Sequence, residues 1–75
     1  MTKRQLEVLR IMRDTGEELV YERGEGYMGY SRVAPRTVFA LLRVMALRKT
    51  DGSPGELERY IIGETGLAIL KREGL

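Results

Sequence analysis

Apolar side chains recur at helical spacing near the start of the chain, which predicts a first helix. These positions are Leu6, Leu9 and Met12, flanked by Val8 and Ile11. Thr2, followed three residues later by Gln5, matches a capping box, in which the two side chains bond reciprocally to the first backbone N–H groups. Gly16 suits the left-handed conformation that ends many helices, so the helix is expected to stop there.

Residues 17–31 lack a helical period and instead favour a β-hairpin. Two β-prone runs, Leu19-Val20-Tyr21 and Tyr27-Met28-Gly29-Tyr30, flank the turn-prone Gly24-Glu25-Gly26. The glycines also match the dinucleotide-binding pattern G-x-G-x-x-G. That pattern works only where a strand leads directly into a helix, and none is predicted here, so turn and bulge glycines explain it better.

The tyrosines of this segment have two interpretations. Tyr21, Tyr27 and Tyr30 could stack on exposed bases, as in single-strand binders. Cross-strand pairs that cover a small core are the favoured interpretation.

A second helix is predicted between Ser31 and Lys49, with Pro35 in its first turn. With successive residues rotated by 100° around the helix axis, one face is apolar and the other mixes arginine with apolar side chains. The apolar face holds Val38, Leu41, Leu42 and Met45. The mixed face holds Arg36, Ala40, Arg43 and Leu47, with Phe39 at its edge.

The last third of the chain predicts a loop, a strand and a short helix. Asp51-Gly52-Ser53-Pro54-Gly55 is typical of a loop, and Leu57 to Ile62 reads as a strand. Gly63 serves as the N-cap of a helix that ends near Gly74. Arg48 and its neighbours are expected to form a strand paired with 57–62.

These elements predict an α+β fold, a single domain over residues 1–75 in the order helix, β-hairpin, helix, two paired strands, helix. The chain holds no His and no Cys, which excludes serine–histidine and cysteine–histidine catalysis, zinc fingers and disulfides. The expectation is a binding module without enzyme activity, metal or cofactor. Because no apolar run approaches ~20 residues and no signal peptide is recognised, a cytoplasmic location without membrane contact is expected.

The charge is modest in total but uneven along the chain. Thirteen basic and eleven acidic residues give +2. Between Gly26 and Thr50 there is no acidic residue, so this window carries +5 and the rest of the chain −3. A chain of nearly balanced charge therefore has the material for one positive face.

Residues 33–71 resemble a winged helix-turn-helix domain of the MarR-like or PadR-like kind. Arg36-Thr37-Val38, followed by Leu41, Leu42 and Leu47, is similar to a recognition helix. Tyr60-Ile61-Ile62-Gly63-Glu64-Thr65-Gly66, followed by Leu70, is similar to the strand and helix that close the wing. The resemblance implies a compact, single winged-helix-like domain over residues 1–75, in the order helix, β-hairpin, helix, β-wing, helix. In such domains a brace helix precedes the recognition helix, whereas here residues 17–31 predict a hairpin.

The resemblance implies a small regulator that binds a specific sequence of double-stranded DNA, of the kind that phages or mobile elements encode. Arg36 and Arg43 would enter the major groove, where arginine pairs with guanine, and Ala40 would face a thymine methyl. Thr37 would bond a phosphate or a base edge. The phosphate contacts would be Arg32, Arg48, Lys49 and Arg59.

The apolar side chains of the same segment favour a different class of function. Phe39, Val44 and Leu47 do not fit the buried face of Val38 and Leu42, so they either seal against other elements or form an interface. A homodimer is one possibility, and a protein partner bound or inhibited through the same basic and apolar face is the alternative to DNA.

Overall fold

The computed structural model describes residues 1–52 and 56–75, which form a compact α+β domain of three helices and one antiparallel sheet. In chain order the elements are α1 (Lys3–Thr15), β1 (Leu19–Glu22), β2 (Glu25–Met28), β3 (Ser31–Val33), α2 (Pro35–Arg43), β4 (Leu47–Gly52), β5 (Glu58–Ile62) and α3 (Glu64–Arg72).

The five strands lie in the order β3-β2-β1-β5-β4, and every neighbouring pair is antiparallel. Leu19 of β1 pairs with Met28 on one side and with Tyr60 on the other. Because side chains alternate along a strand, these three residues share a face, and all three are buried. On the opposite face Val20, opposite Tyr27, is only half-buried.

The core lies between the buried sheet face and the helices. Its residues are Val8, Leu9, Met12, Leu19, Met28, Val33, Val38, Leu41, Ala46, Tyr60, Ile69 and Leu70. Burial of these apolar side chains is the main stabilising term for so small a domain. The helices therefore cover one sheet face. No helix among the described residues is long and apolar enough to cross a membrane.

The prediction for α1 is confirmed. The Gln5 N–H donates to Thr2 Oγ1 at 3.2 Å, and the Thr2 N–H donates to Gln5 Oε1 at 3.1 Å. Gly16 ends the helix with φ of 74°, and its N–H donates to the Met12 carbonyl. Local capping thus sets both ends of the helix.

The predicted hairpin is also confirmed, and it excludes a helix in residues 17–31. Its two-residue turn is Arg23-Gly24, both with positive φ, as the right-handed twist of a hairpin favours. A second turn then leads to β3, a strand the sequence analysis missed. The G-x-G-x-x-G glycines therefore lie in turns and in β2, without the strand-to-helix step that a dinucleotide site requires.

The second helix is shorter than predicted, and Met45 does not belong to its buried face. The helix ends at Arg43, and two bonds close it: the Met45 N–H to the Leu42 carbonyl and the Ala46 N–H to the Leu41 carbonyl. This is a Schellman motif, with Met45 in the left-handed position that usually holds glycine. Met45 has φ of 60° and is 75% exposed.

The predicted pairing of the Arg48 strand with the next strand is confirmed. Arg48 pairs with Ile61, and the register shifts between Lys49 and Asp51. Asp51 and Gly52, predicted to lie in the loop, instead extend β4. The rest of that predicted loop, residues 53–55, lies outside the described residues. Gly63 is the N-cap of α3 as expected.

Candidate nucleic-acid interface

The exposed face of α2 carries the residues that the sequence predicted for it. Arg36 and Arg43 are exposed, Ala40 is half-buried between them, and Phe39 at the edge is 46% exposed. Pro35 occupies the first turn, where its missing N–H costs nothing. Val38 and Leu41 hold the opposite side of the helix in the core. The sequence pattern therefore places Arg36, Ala40 and Arg43 on one accessible surface.

Thr37 differs from these neighbours, because only 6% of it is exposed. One residue on from Arg36, the helical rotation carries it to the side of α2 that holds Val38 and Leu41. This corrects the expectation that Thr37 stands beside the two arginines on the accessible surface.

Three of the four residues predicted to contact phosphate already form ion pairs with carboxylates. The Arg32 guanidinium lies 2.6 Å from Glu25, the Lys49 ammonium 3.0 Å from Glu58, and the Arg59 guanidinium 3.5 Å from Glu18. These pairs are at least partly exposed. Each partner carboxylate cancels charge that would otherwise attract phosphate.

The Arg32 pair is part of a small polar group on the surface. The hydroxyl of Tyr27 donates to Glu25, which also accepts from Arg32. Hydrogen bonding to Tyr27, followed by the negative charge of Glu25, raises the pKa of the Arg32 guanidinium above its ordinary value. Arg32 is therefore held as a cation by its own neighbours.

Within the described residues, no carboxylate lies within 4.0 Å of Arg36, Arg43 or Arg48, whereas other arginines form pairs. The acid-free window thus remains positive in the folded chain at these three positions. The distribution of charge along the sequence indicated this much, but not which arginines of the window would be neutralised.

The structure separates α2 from several of the predicted flanking contacts. Arg32 pairs with Tyr27, Arg59 with Val20 and Arg48 with Ile61. These positions lie on the sheet face that the helices leave open, whereas α2 packs on the other. A straight duplex along α2 would therefore reach these side chains only around an edge of the sheet.

The apolar candidates divide into exposed and partly covered residues. Phe39 and Val44 are 46% and 42% exposed, whereas Leu47 is half-buried and packs against the core. Phe39 also meets Tyr21 edge to face, with ring centroids 5.3 Å apart. Met45, predicted to lie on the apolar face of the helix, instead extends this exposed apolar surface.

The three tyrosines do not all fit one interpretation, whether base stacking or covering of the core. Tyr21 packs with Phe39 on the helix-covered side of the sheet, which fits the core-covering interpretation. Tyr27 lies on the open sheet face beside Arg32, and Tyr30 is fully exposed in the turn before β3. Arg32, Arg48 and Arg59 share this open face with Tyr27.

A cleft of about 880 Å³ opens beside the start of α2. Its walls come from the start of α1, the β1–β2 turn, the end of β3 and the first turn of α2. Arg4 and Gln5 reach it from α1. The sequence analysis treated both as parts of α1 alone, because nothing local shows that the starts of two helices meet.

Among residues 1–52 and 56–75 no group of three or more acidic side chains is placed to hold a metal ion. The chain matches no known family model, and comparison with curated proteins and with solved structures found no match.

Proposed function

We propose that the protein binds double-stranded DNA through the exposed face of α2. The observation that carries this proposal is the pair of exposed arginines, Arg36 and Arg43, without a carboxylate partner in the described part of the chain. Two arginines two turns apart on one helix face suit contacts with guanine edges or phosphates. Ala40 between them leaves room for close approach.

The order of elements around α2 supports a winged-helix arrangement. α2 is followed by the antiparallel pair β4–β5 and then by α3, and β5 also pairs with β1. Strands β2 and β3 occupy the place of a brace helix. The domain would therefore be a winged-helix variant in which a sheet, rather than a helix, supports the recognition helix.

The expected mode of binding is limited by the length of α2. Its nine residues span about 13 Å, or roughly four base pairs at 3.4 Å each. Arg36 and Arg43 would contact the groove or its rims, and Arg48, on the edge strand β4, would reach a phosphate around that edge of the sheet. A homodimer would extend the site by a second such segment.

Salt dependence of duplex binding tests this proposal. If Arg36, Arg43 and Arg48 neutralise three phosphates, the logarithm of affinity should fall with the logarithm of salt concentration at a slope of about −3. The measurement is a fluorescence anisotropy titration of a duplex library at several salt concentrations. Undetectable binding at low salt would reject the DNA proposal.

A matched pair of double variants locates the interface. Arg36→Ala with Arg43→Ala should abolish sequence preference and reduce the slope to about −1. Lys71→Ala with Arg72→Ala removes the same charge from the exposed last turn of α3 and should leave the slope near −3. Equal losses in the two variants would mean that net charge, not the α2 face, determines binding.

Binding of a protein partner is the second candidate function, and Met45 favours it. A side chain in the left-handed conformation costs about 1 kcal/mol relative to glycine, yet this position holds an exposed methionine beside Val44. Apolar side chains at such a position are typical of contact surfaces. A protein that fails to bind DNA but self-associates, with Met45→Ser restoring the monomer, would support this candidate.

A further inference from the structure

The cleft beside α2 joins the starts of two helices. Thr2, Arg4 and Gln5 contribute from α1, and Ala34, Arg36 and Thr37 from α2. Both helices carry the positive ends of their dipoles at these starts. Their convergence produces a recess in which negative charge is favoured.

The two helix starts differ in how their N–H groups are satisfied. The capping box of Thr2 and Gln5 closes α1. The N-cap of α2 is Ala34, whose side chain offers no acceptor. Among the hydrogen bonds between described residues, none uses the Arg36 N–H, so this donor remains available to an acceptor in the cleft.

Thr37 supplies an independent observation. The residue is 94% buried, since its exposed fraction is 6%, and no hydrogen bond within the described chain uses its hydroxyl. Every fully buried side-chain polar atom there has a partner, so the Thr37 hydroxyl is not sealed off. Because Thr37 lines the cleft, its unpartnered hydroxyl opens into that space.

Two arginine side chains complete the set of donors. Arg4 donates to the Arg32 carbonyl at 3.0 Å and to Glu7 at 2.6 Å, which fixes its guanidinium near the cleft but compensates part of its charge. Arg36 lies at the other wall. The acid of the lining, Glu25, is held by Arg32 at 2.6 Å, so its charge is compensated locally.

We propose that this cleft is a binding site for a phosphate group. Phosphate offers several strong acceptor oxygens, and uncapped helix N–H groups, arginine and hydroxyl donors are the groups that bind it in proteins. The volume exceeds that of a bare anion, so the phosphate would be carried by a larger molecule. Its source is either a small phosphorylated compound or the backbone of a nucleic acid.

Inorganic phosphate is the direct probe, and its binding does not depend on the proposed function. Titration into the ¹⁵N-labelled protein, with chloride at matched ionic strength as reference, should shift the amide resonances of Ala34, Arg36, Thr37 and Val38. Arg36→Gln and the isosteric Thr37→Val should each weaken phosphate affinity by about tenfold, the effect of losing a hydrogen bond to an anion. Arg72→Gln, an exposed arginine in the last turn of α3 and outside both the cleft and the α2 face, is the control.

The outcomes separate the site from the source of the phosphate. Loss of phosphate affinity in Thr37→Val with unchanged duplex affinity supports a small phosphorylated ligand, and parallel loss of both supports a backbone phosphate. The proposal is overturned if phosphate shifts these amides no more than chloride does. It is also overturned if Thr37→Val binds phosphate as tightly as the parent protein, or if Arg72→Gln weakens phosphate binding as much as Arg36→Gln does.

Discussion

At the scale of the residue, Gly66 shows how closely one helix is set against a strand. A Cβ at Gly66 would lie 2.5 Å from the Ala46 carbonyl oxygen and 2.8 Å from Cγ1 of Ile62. Contacts this short do not occur, and the nearer atom belongs to the backbone. The close packing of the first turn of α3 therefore requires glycine at this position.

Gly66→Ala is predicted to destabilise the domain although alanine is the better helix former. Helix propensity would add about 1 kcal/mol, but α3 would have to move away from Ala46 and Ile62, and overpacking costs up to about 3 kcal/mol. The expected net loss in the free energy of unfolding is about 2 kcal/mol by urea denaturation. Thr65→Ala, at the exposed neighbouring position, should change it by no more than about 0.5 kcal/mol. Equal effects would refute the tight contact.

At the scale of the element, the turn between β1 and β2 holds a strained residue. Arg23 has φ of 51° and Gly24 has φ of 78°. Asparagine tolerates the left-handed region better than arginine does, and Asn-Gly is the preferred pair for a two-residue hairpin turn. The hairpin thus carries a correctable backbone cost.

Arg23→Asn is predicted to raise the free energy of unfolding by a few tenths to about 1 kcal/mol. The opposite change is Gly24→Ala, whose Cβ would meet no atom within 4 Å, so its expected loss of about 1 kcal/mol is purely conformational. Thermal unfolding of both variants, compared with the parent protein, measures the two changes in stability. Destabilisation by Arg23→Asn would show that the Arg23 side chain makes a contribution that the turn geometry does not explain.

The elements also show which features the sequence could predict. Helix α1 and the β1–β2 hairpin rest on local signals, the capping box and the turn glycine, and both were predicted. The end of α2 was not, because Met45 adopts its left-handed conformation where the chain turns from helix to strand. The ion pair of Arg59 with Glu18 joins residues 41 apart, and no local pattern reveals it.

The candidate site follows the same division between local and distant contacts. Helical periodicity placed Arg36, Ala40 and Arg43 correctly on one face. Thr37 is buried because α2 packs on the core. The cleft forms because Arg4 lies near residues that are distant from it in the sequence. Local sequence thus predicted the helix face, whereas its surroundings required the fold.

At the scale of the whole molecule, Tyr60 links stability to alkaline pH. Burial raises the pKa of its hydroxyl above the ordinary value of 10.0, and the charge of Glu58 adds to the effect. The folded state therefore retains this proton at pH values where the unfolded chain has lost it. By linkage, the contribution of Tyr60 to the free energy of unfolding is constant below about pH 10. It falls as pH rises through the folded pKa of Tyr60.

Tyr60→Phe is predicted to flatten the loss of stability between pH 10 and 11.5. The measurement is urea denaturation across this range, compared with the same protein at pH 8. Tyr30→Phe, a change at a fully exposed tyrosine, is the control and should retain the slope of the parent. The same steep loss in Tyr60→Phe would assign the alkaline effect to other groups.

The position of β1 in the sheet has a consequence for folding kinetics. β1 pairs with β2 across a two-residue turn but with β5 about forty residues later, so the sheet consists of two local parts joined at one seam. Strands that are close in the sequence pair quickly. Pairing of distant strands first costs loop-closure entropy, which the new contacts offset only afterwards. The β1–β5 seam is therefore expected to set the folding rate, with the hairpin forming first and α3 docking once the seam has closed.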